Sequence, residues 1–74
     1  MWHTWVMTSI DELASLAAAV TDAEQGLAHA RAARDSAIAS ASADGARQRD
    51  IAEATGLTRE QVRRIVRAAE EQQR

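Results

Sequence analysis

The sequence predicts an all-α fold: one long N-terminal helix followed by two short helices that meet across a tight turn. Three observations carry that expectation. Leu13, Leu16, Val20, Ala23, Leu27, Ala30, Arg34, Ala37 and Ala41 recur in alternating steps of three and four, the spacing of a heptad seam on a helix. A second apolar stripe with helical spacing, Val62, Ile65, Val66 and Ala69, lies near the C-terminus. Proline is absent, so Gly26, Gly45 and Gly56, together with the Thr, Ser and Asp neighbours of two of them, supply most of the punctuation.

The elements follow in chain order. Residues 1–8 read as a tail: Trp2 and Trp5 are the only aromatics, and disorder or opportunistic packing suits them better than a dedicated role. Ser9 with Glu12 forms a capping box, and Asp11 suits the positive end of a helix dipole, so a long helix is expected over 9–44, roughly Ser9 to Ser42. At 1.5 Å per residue that helix spans about 50 Å. An alternative breaks it, because Thr21 and Glu24 form a second capping box and Gly26 costs about 1 kcal/mol inside a helix. In that alternative the chain folds back at Thr21 into a monomeric bundle. Gly45 ends the long helix in a left-handed conformation in either case. Within 45–74, a short helix is expected from Arg47 to Ala54, then a Thr55-Gly56-Leu57 turn, then a last helix capped by Thr58 and running to about Glu71.

Size and charge bound what such a chain does. With 74 residues it makes at most one small domain with a lean core, for which self-association is a natural supplement. No cysteine is present, which removes disulfides and thiolate metal ligands and leaves a reducing cytoplasm as the expected location. The N-terminus lacks a basic segment followed by a long apolar one, and no apolar run approaches the roughly 20 residues needed to span a bilayer. The net charge of -2 conceals a segregation: Arg31 and Arg34 stand against six acidic residues in 1–44, whereas seven arginines stand against five acidic residues in 45–74. A polyanion would meet the C-terminal half.

The turn between the short helices calls for a small residue at the close approach and one tolerant of positive φ, and Ala52 and Gly56 meet those needs. Ile51 and Leu57 then point into the angle between the helices. With Val62, Ile65, Val66 and Ala69 turned inward, the opposite face of the last helix holds Glu60, Arg63, Arg64, Arg67 and Glu71, with Arg59 near its start. The stretch "RQRDIAEATGLTREQVRRIVRAA", about a third of the chain, resembles the helix-turn-helix DNA-binding domains, especially the tri-helical, homeodomain-like kind of resolvases and of the sigma-factor promoter-reading domain. One departure is Thr55, where many members have an apolar residue, and looser packing is expected there. The resemblance implies that the helix from Thr58 enters the major groove, with Thr58, Arg59, Glu60, Arg63, Arg64 and Arg67 facing base edges. Arginine can donate twice to guanine, and Glu60 can accept from cytosine. Arg47, Gln48 and Arg49, at the start of the preceding helix, are the implied phosphate contacts. The plainer reading of the same face is a solvated surface with Glu60–Arg64 and Arg67–Glu71 as i,i+4 pairs.

A two-helix unit cannot bury its inner face alone, and Ala33, Ala37, Ile38 and Ala41 of the long helix are the candidates to cover it. Leu13, Leu16, Val20 and Leu27 then have nothing in the chain to pack on, so Leu13, Leu16, Val20, Ala23, Leu27 and Ala30 are expected to form a homodimer interface. A two-fold dimer would read a palindromic double-stranded DNA site. His3 and His29 have no second ligand at metal-binding spacing, no phosphate loop or nucleophile motif is visible, and neither a metal, a cofactor nor catalysis is expected. The function expected is that of a dimeric transcriptional regulator, a repressor. The alternative is a protein-interaction module, an antitoxin or sigma-factor adaptor, that binds a partner protein through the long helix.

Overall fold

In the computed structural model, backbone is described for residues 2–73 and side chains for 9–73. Three α-helices and no strand are present among the described residues: α1 (Trp2–Ala43), α2 (Gln48–Thr55) and α3 (Arg59–Gln72). They distribute over two units, Met1–Ala30 and Arg31–Arg74.

The first unit is the leading part of α1. The helix is already under way at Trp2, so Ser9 is not its N-cap, and Ser9 and Glu12 stand on the helix body. A capping box satisfies free backbone N–H groups only where the chain leaves the helix, and here it does not. The expectations placed on the side chains of Trp2, His3 and Trp5 lie outside the described residues. The alternative break near Thr21 does not occur, and the continuous long helix expected first is the one formed. Thr21 is helical, and its hydroxyl donates to the Ala17 carbonyl at 3.2 Å, a bond back along the helix rather than a cap. Gly26 is helical as well, and a Cβ built on it meets nothing within 4 Å. Every described side chain from Ile10 to Ala30 is exposed, including Ile10, Leu13, Leu16, Val20 and Leu27 at 50–65%.

The second unit holds a small core. Ile38 from the end of α1, Ile51 from α2 and Val62 from α3 are buried, Val62 completely, and Ala41, Ala52, Leu57, Ile65 and Val66 pack around them. Ala33 and Ala37, expected to share in the covering, are instead exposed. Ile38 and Ala41, expected with them, do turn inward: a straight α-helix drifts about 20° per heptad from a strict seven-residue repeat, and by this point the drift has carried Ala37 off the inward side. The large side chain takes the buried place.

The ends of α1, α2 and α3 explain how three short segments close over so few residues. At the end of α1, Gly45 has φ 101°, Gly45 N–H donates to Ser42 O and Ala46 N–H donates to Ala41 O, both at 3.0 Å. This is a Schellman arrangement, which satisfies carbonyls the helix end would leave free. Gly56 ends α2 at φ 76°, ψ 8°, with its N–H donating to Ala52 O at 2.9 Å. Thr55, expected to loosen the turn, laces it. Its hydroxyl donates to Ile51 O at 2.8 Å, and its oxygen accepts from Leu57 N–H at 3.3 Å. α3 begins with a full capping box, in which Gln61 N–H donates to Thr58 Oγ1 at 3.1 Å and Thr58 N–H donates to Gln61 Oε1 at 2.9 Å.

Candidate nucleic-acid interface

The candidate interface is the outer face of α3, and its position follows from what the inner face buries. Val62 is fully enclosed, and Ile65, Val66 and Ala69 are half-buried on the same side. At about 100° per residue this turns Arg59, Glu60, Arg63, Arg64 and Arg67 outward, and all five are exposed. Helix and turn thus bring most of the implied base-facing set onto one surface. Glu60 and Arg63 form an ion pair one turn apart, each side chain 56% exposed. The pair expected from spacing was Glu60 with Arg64; α3 instead joins Glu60 to Arg63. Hydrogen bonding to Arg63 and its charge, with smaller help from Arg64 and Arg67, hold the Glu60 carboxyl below the usual glutamate range. Among the described residues Arg59, Arg64 and Arg67 enter no ion pair, so the Arg67–Glu71 pair does not form.

Thr58 differs from its neighbours. Its hydroxyl accepts from Gln61 N–H and also donates to Gln61 Oε1 at 3.2 Å, so both its donor and an acceptor site are engaged within α3. Gln61 was missing from the sequence reading of this site, although Thr58 with a Gln three residues on carries the capping-box signal. Arg47 and Arg49 are exposed and Gln48 half-buried at the start of α2, and Arg47 caps that helix through its backbone only. They stand on a different element from the α3 arginines, and α2 packs directly against α3.

One basic residue enters the surface from outside the predicted set. Arg34 and Arg64 line a shallow depression of about 230 Å³ together with Leu57, Gln61 and Ile65. Periodicity had placed Arg34 on the seam of the long helix. It is half-buried and pairs with Asp35 at 3.0 Å. A guanidinium at a seam position is the signal that marks it, since a long helix does not ordinarily turn an arginine toward a core without a partner. A larger groove of about 710 Å³, lined chiefly by alanine and serine with Asp35 and Ile65, offers no clustered acid, base or nucleophile.

Among the described residues no group of three or more His, Asp or Glu stands at metal-binding distance, and no helix is long and apolar enough to cross a membrane. Chemically the surface can donate: guanidinium groups along α3, with one carboxylate among them, suit phosphates and the acceptor-rich edge of guanine. No family model, no curated protein and no solved structure matches this chain.

Proposed function

We propose that this protein is a sequence-specific double-stranded DNA-binding regulator of the helix-turn-helix kind, working as a repressor and as a homodimer joined through α1. The observation that carries the reading is the outward row of Arg59, Arg63, Arg64 and Arg67 on a capped helix that follows a glycine turn. α3 enters the major groove in this reading, and Arg63, Arg64 and Arg67 read base edges. Arg47 and Arg49 fix the register on phosphate, with the backbone N–H groups at the start of α2 beside them. Glu60 serves first to hold Arg63 and only then as an acceptor for cytosine.

Selection of bound sequences from a random duplex pool tests the proposal: a palindromic consensus is expected, and recovery of no consensus would overturn it. Within that consensus Arg63→Ala should relax preference at one base position and cost about 1–3 kcal/mol, whereas Arg47→Ala should weaken all sequences alike. Equal effects of the two would remove the division of roles.

The exposed aliphatics of α1 favour a second reading, in which the helix binds a different protein. Such an adaptor would hold its partner through apolar contacts that salt disturbs little, and would show weak, unselective affinity for DNA.

A further inference from the structure

The exposed face of α1 carries features that decide how a second copy lies against it, and the inference rests on the reading that α1 joins two chains. Large and small residues alternate along the seam in the order Val20, Ala23, Leu27, Ala30. In a parallel, in-register pair, like meets like. Val20 and Leu27 would face their own copies, and so would Ala23 and Ala30. The wide layers would then hold the helices apart and leave the alanine layers unfilled, which forfeits contacts on both walls. In an antiparallel pair, Val20 faces Ala30 of the other copy and Leu27 faces its Ala23. Each of these central layers then combines one large and one small side chain; beyond them Leu13 faces Ala37, and Leu16 lies along the aliphatic stem of Arg34.

Gly26 fits the same register. Inside a helix it costs about 1 kcal/mol relative to alanine. Nothing in its own chain calls for it: only Gly45 and Gly56 have positive φ, and a Cβ at Gly26 would meet nothing within 4 Å. With Val20 opposite Ala30, Gly26 flanks the seam next to its own copy at the two-fold axis, where a missing side chain lets two backbones approach.

Charge selects the same direction. From Ser9 to Ala30, α1 carries Asp11, Glu12, Asp22 and Glu24 with no Lys or Arg, and its two cations, Arg31 and Arg34, come after. A parallel partner would set each acidic residue level with its copy. An antiparallel partner sets the two Glu24 side chains on one edge beside the axis and brings Arg31 of the second copy onto that same edge about 7.5 Å farther along, where its long side chain reaches back to the Glu24 carboxylate, and it sets the helix dipoles in opposition.

We propose that α1 pairs antiparallel with a second copy of itself, crossing at the level of Gln25 with Gly26 beside the axis, with large and small residues matched across the central seam and Glu24 of each chain bridging to Arg31 of the other.

Because the chain has no cysteine, disulfide trapping on the full chain starts from a clean background. Val20→Cys chains mixed with Ala30→Cys chains before oxidation should link position 20 to position 30 severalfold more than either position to itself. A dimeric protein that links each position to its own copy overturns the antiparallel arrangement and leaves dimerisation standing. A chain that sediments as a monomer at about 50 µM, a concentration at which even a weak pairing of Kd near 10 µM is well populated, removes dimerisation itself. Since a seam cysteine can disturb packing, charge reversal gives a second arm. Glu24→Arg and Arg31→Glu should each weaken association about fivefold, since two symmetric surface pairs are lost, and the double variant should restore it. A dimer indifferent to both single reversals overturns the pairing.

Discussion

The Thr58 hydroxyl is asked to do two things: the family resemblance aims it at a base edge, while α3 uses it to hold Gln61 N–H. Capping is the demand already met, so Thr58→Ala should destabilise the second unit by about 1 kcal/mol in urea unfolding, and Thr58→Ser should retain most of that stability. If Thr58→Asn, which caps through its amide oxygen and has no hydroxyl, also keeps full DNA affinity, the Thr58 hydroxyl works through the cap and not through a base. Gly56 is constrained by its backbone and not by space: a Cβ there would meet nothing within 4 Å, yet φ is +76°. Gly56→Ala should therefore cost about 1–2 kcal/mol despite the open room, read by the same unfolding curves. Glu60 supplies a pH signature. Its carboxyl titrates lower in the folded chain than in the unfolded one, chiefly because Arg63 bonds to it, so its contribution to stability is present above the unfolded value. That contribution disappears as pH falls through the depressed folded value, below the ordinary glutamate range. Glu60→Gln should flatten this acid-side dependence and slightly lower stability at neutral pH, where the carboxylate's contribution is present, as thermal unfolding across pH would record.

At the scale of the elements, periodicity and glycine placement carried most of the fold. The stripe Val62, Ile65, Val66 and Ala69 alone determines which side of α3 is inward, and hence which arginines are outward. Gly45 and Gly56 both adopt the positive φ that their places after a helix imply. What periodicity missed has physical causes. Capping boxes at Ser9 and Thr21 are genuine local signals, but they act only where the chain leaves a helix; α1 runs through both, and around Thr21 the alanines at 17–19 and 23 with Glu24 and Gln25 favour that continuation. A strict heptad count also ignores the slow drift of a straight helix, which is why Ala37, expected inside together with Ile38 and Ala41, is exposed while those two turn inward. The role of Thr55 was invisible because a threonine that bonds back to Ile51 O and one that packs poorly look the same in one letter. Gly26 gives the element its own prediction. In dilute, monomeric solution Gly26→Ala should raise the helicity of α1, by up to about 1 kcal/mol in propensity, and at higher concentration it should weaken association. Circular dichroism and sedimentation would read the two effects separately.

For the molecule as a whole, charge segregation and the thinness of the core determine how function would be measured. Three buried residues, Ile38, Ile51 and Val62, anchor the second unit, so a single truncation there is felt throughout it. Val62→Ala, costing about 2 kcal/mol, would lower DNA affinity by unfolding α3's seat, a loss that a stabilising osmolyte should repair. Losses from the surface arginines would not respond to such a treatment. Salt separates the remaining possibilities and counts chains at the same time. Each phosphate neutralised on duplex DNA releases condensed counterions, so log K falls with log[salt] by about 0.9 per contact. Arg47→Ala removes one such contact per chain. A two-fold dimer loses it twice, and the slope should flatten by about two; a monomer bound alone would flatten by about one. Arg63→Ala, if Arg63 reads a base, should leave the slope nearly unchanged while the affinity for the preferred site drops. Titrations of the selected duplex between about 50 and 200 mM salt, the range over which such slopes are resolved, would give all three values. A slope that Arg47→Ala leaves unaltered would mean that Arg47 does not neutralise a phosphate, and an affinity for the preferred site that Arg63→Ala also leaves unaltered would remove Arg63 from the base-reading set.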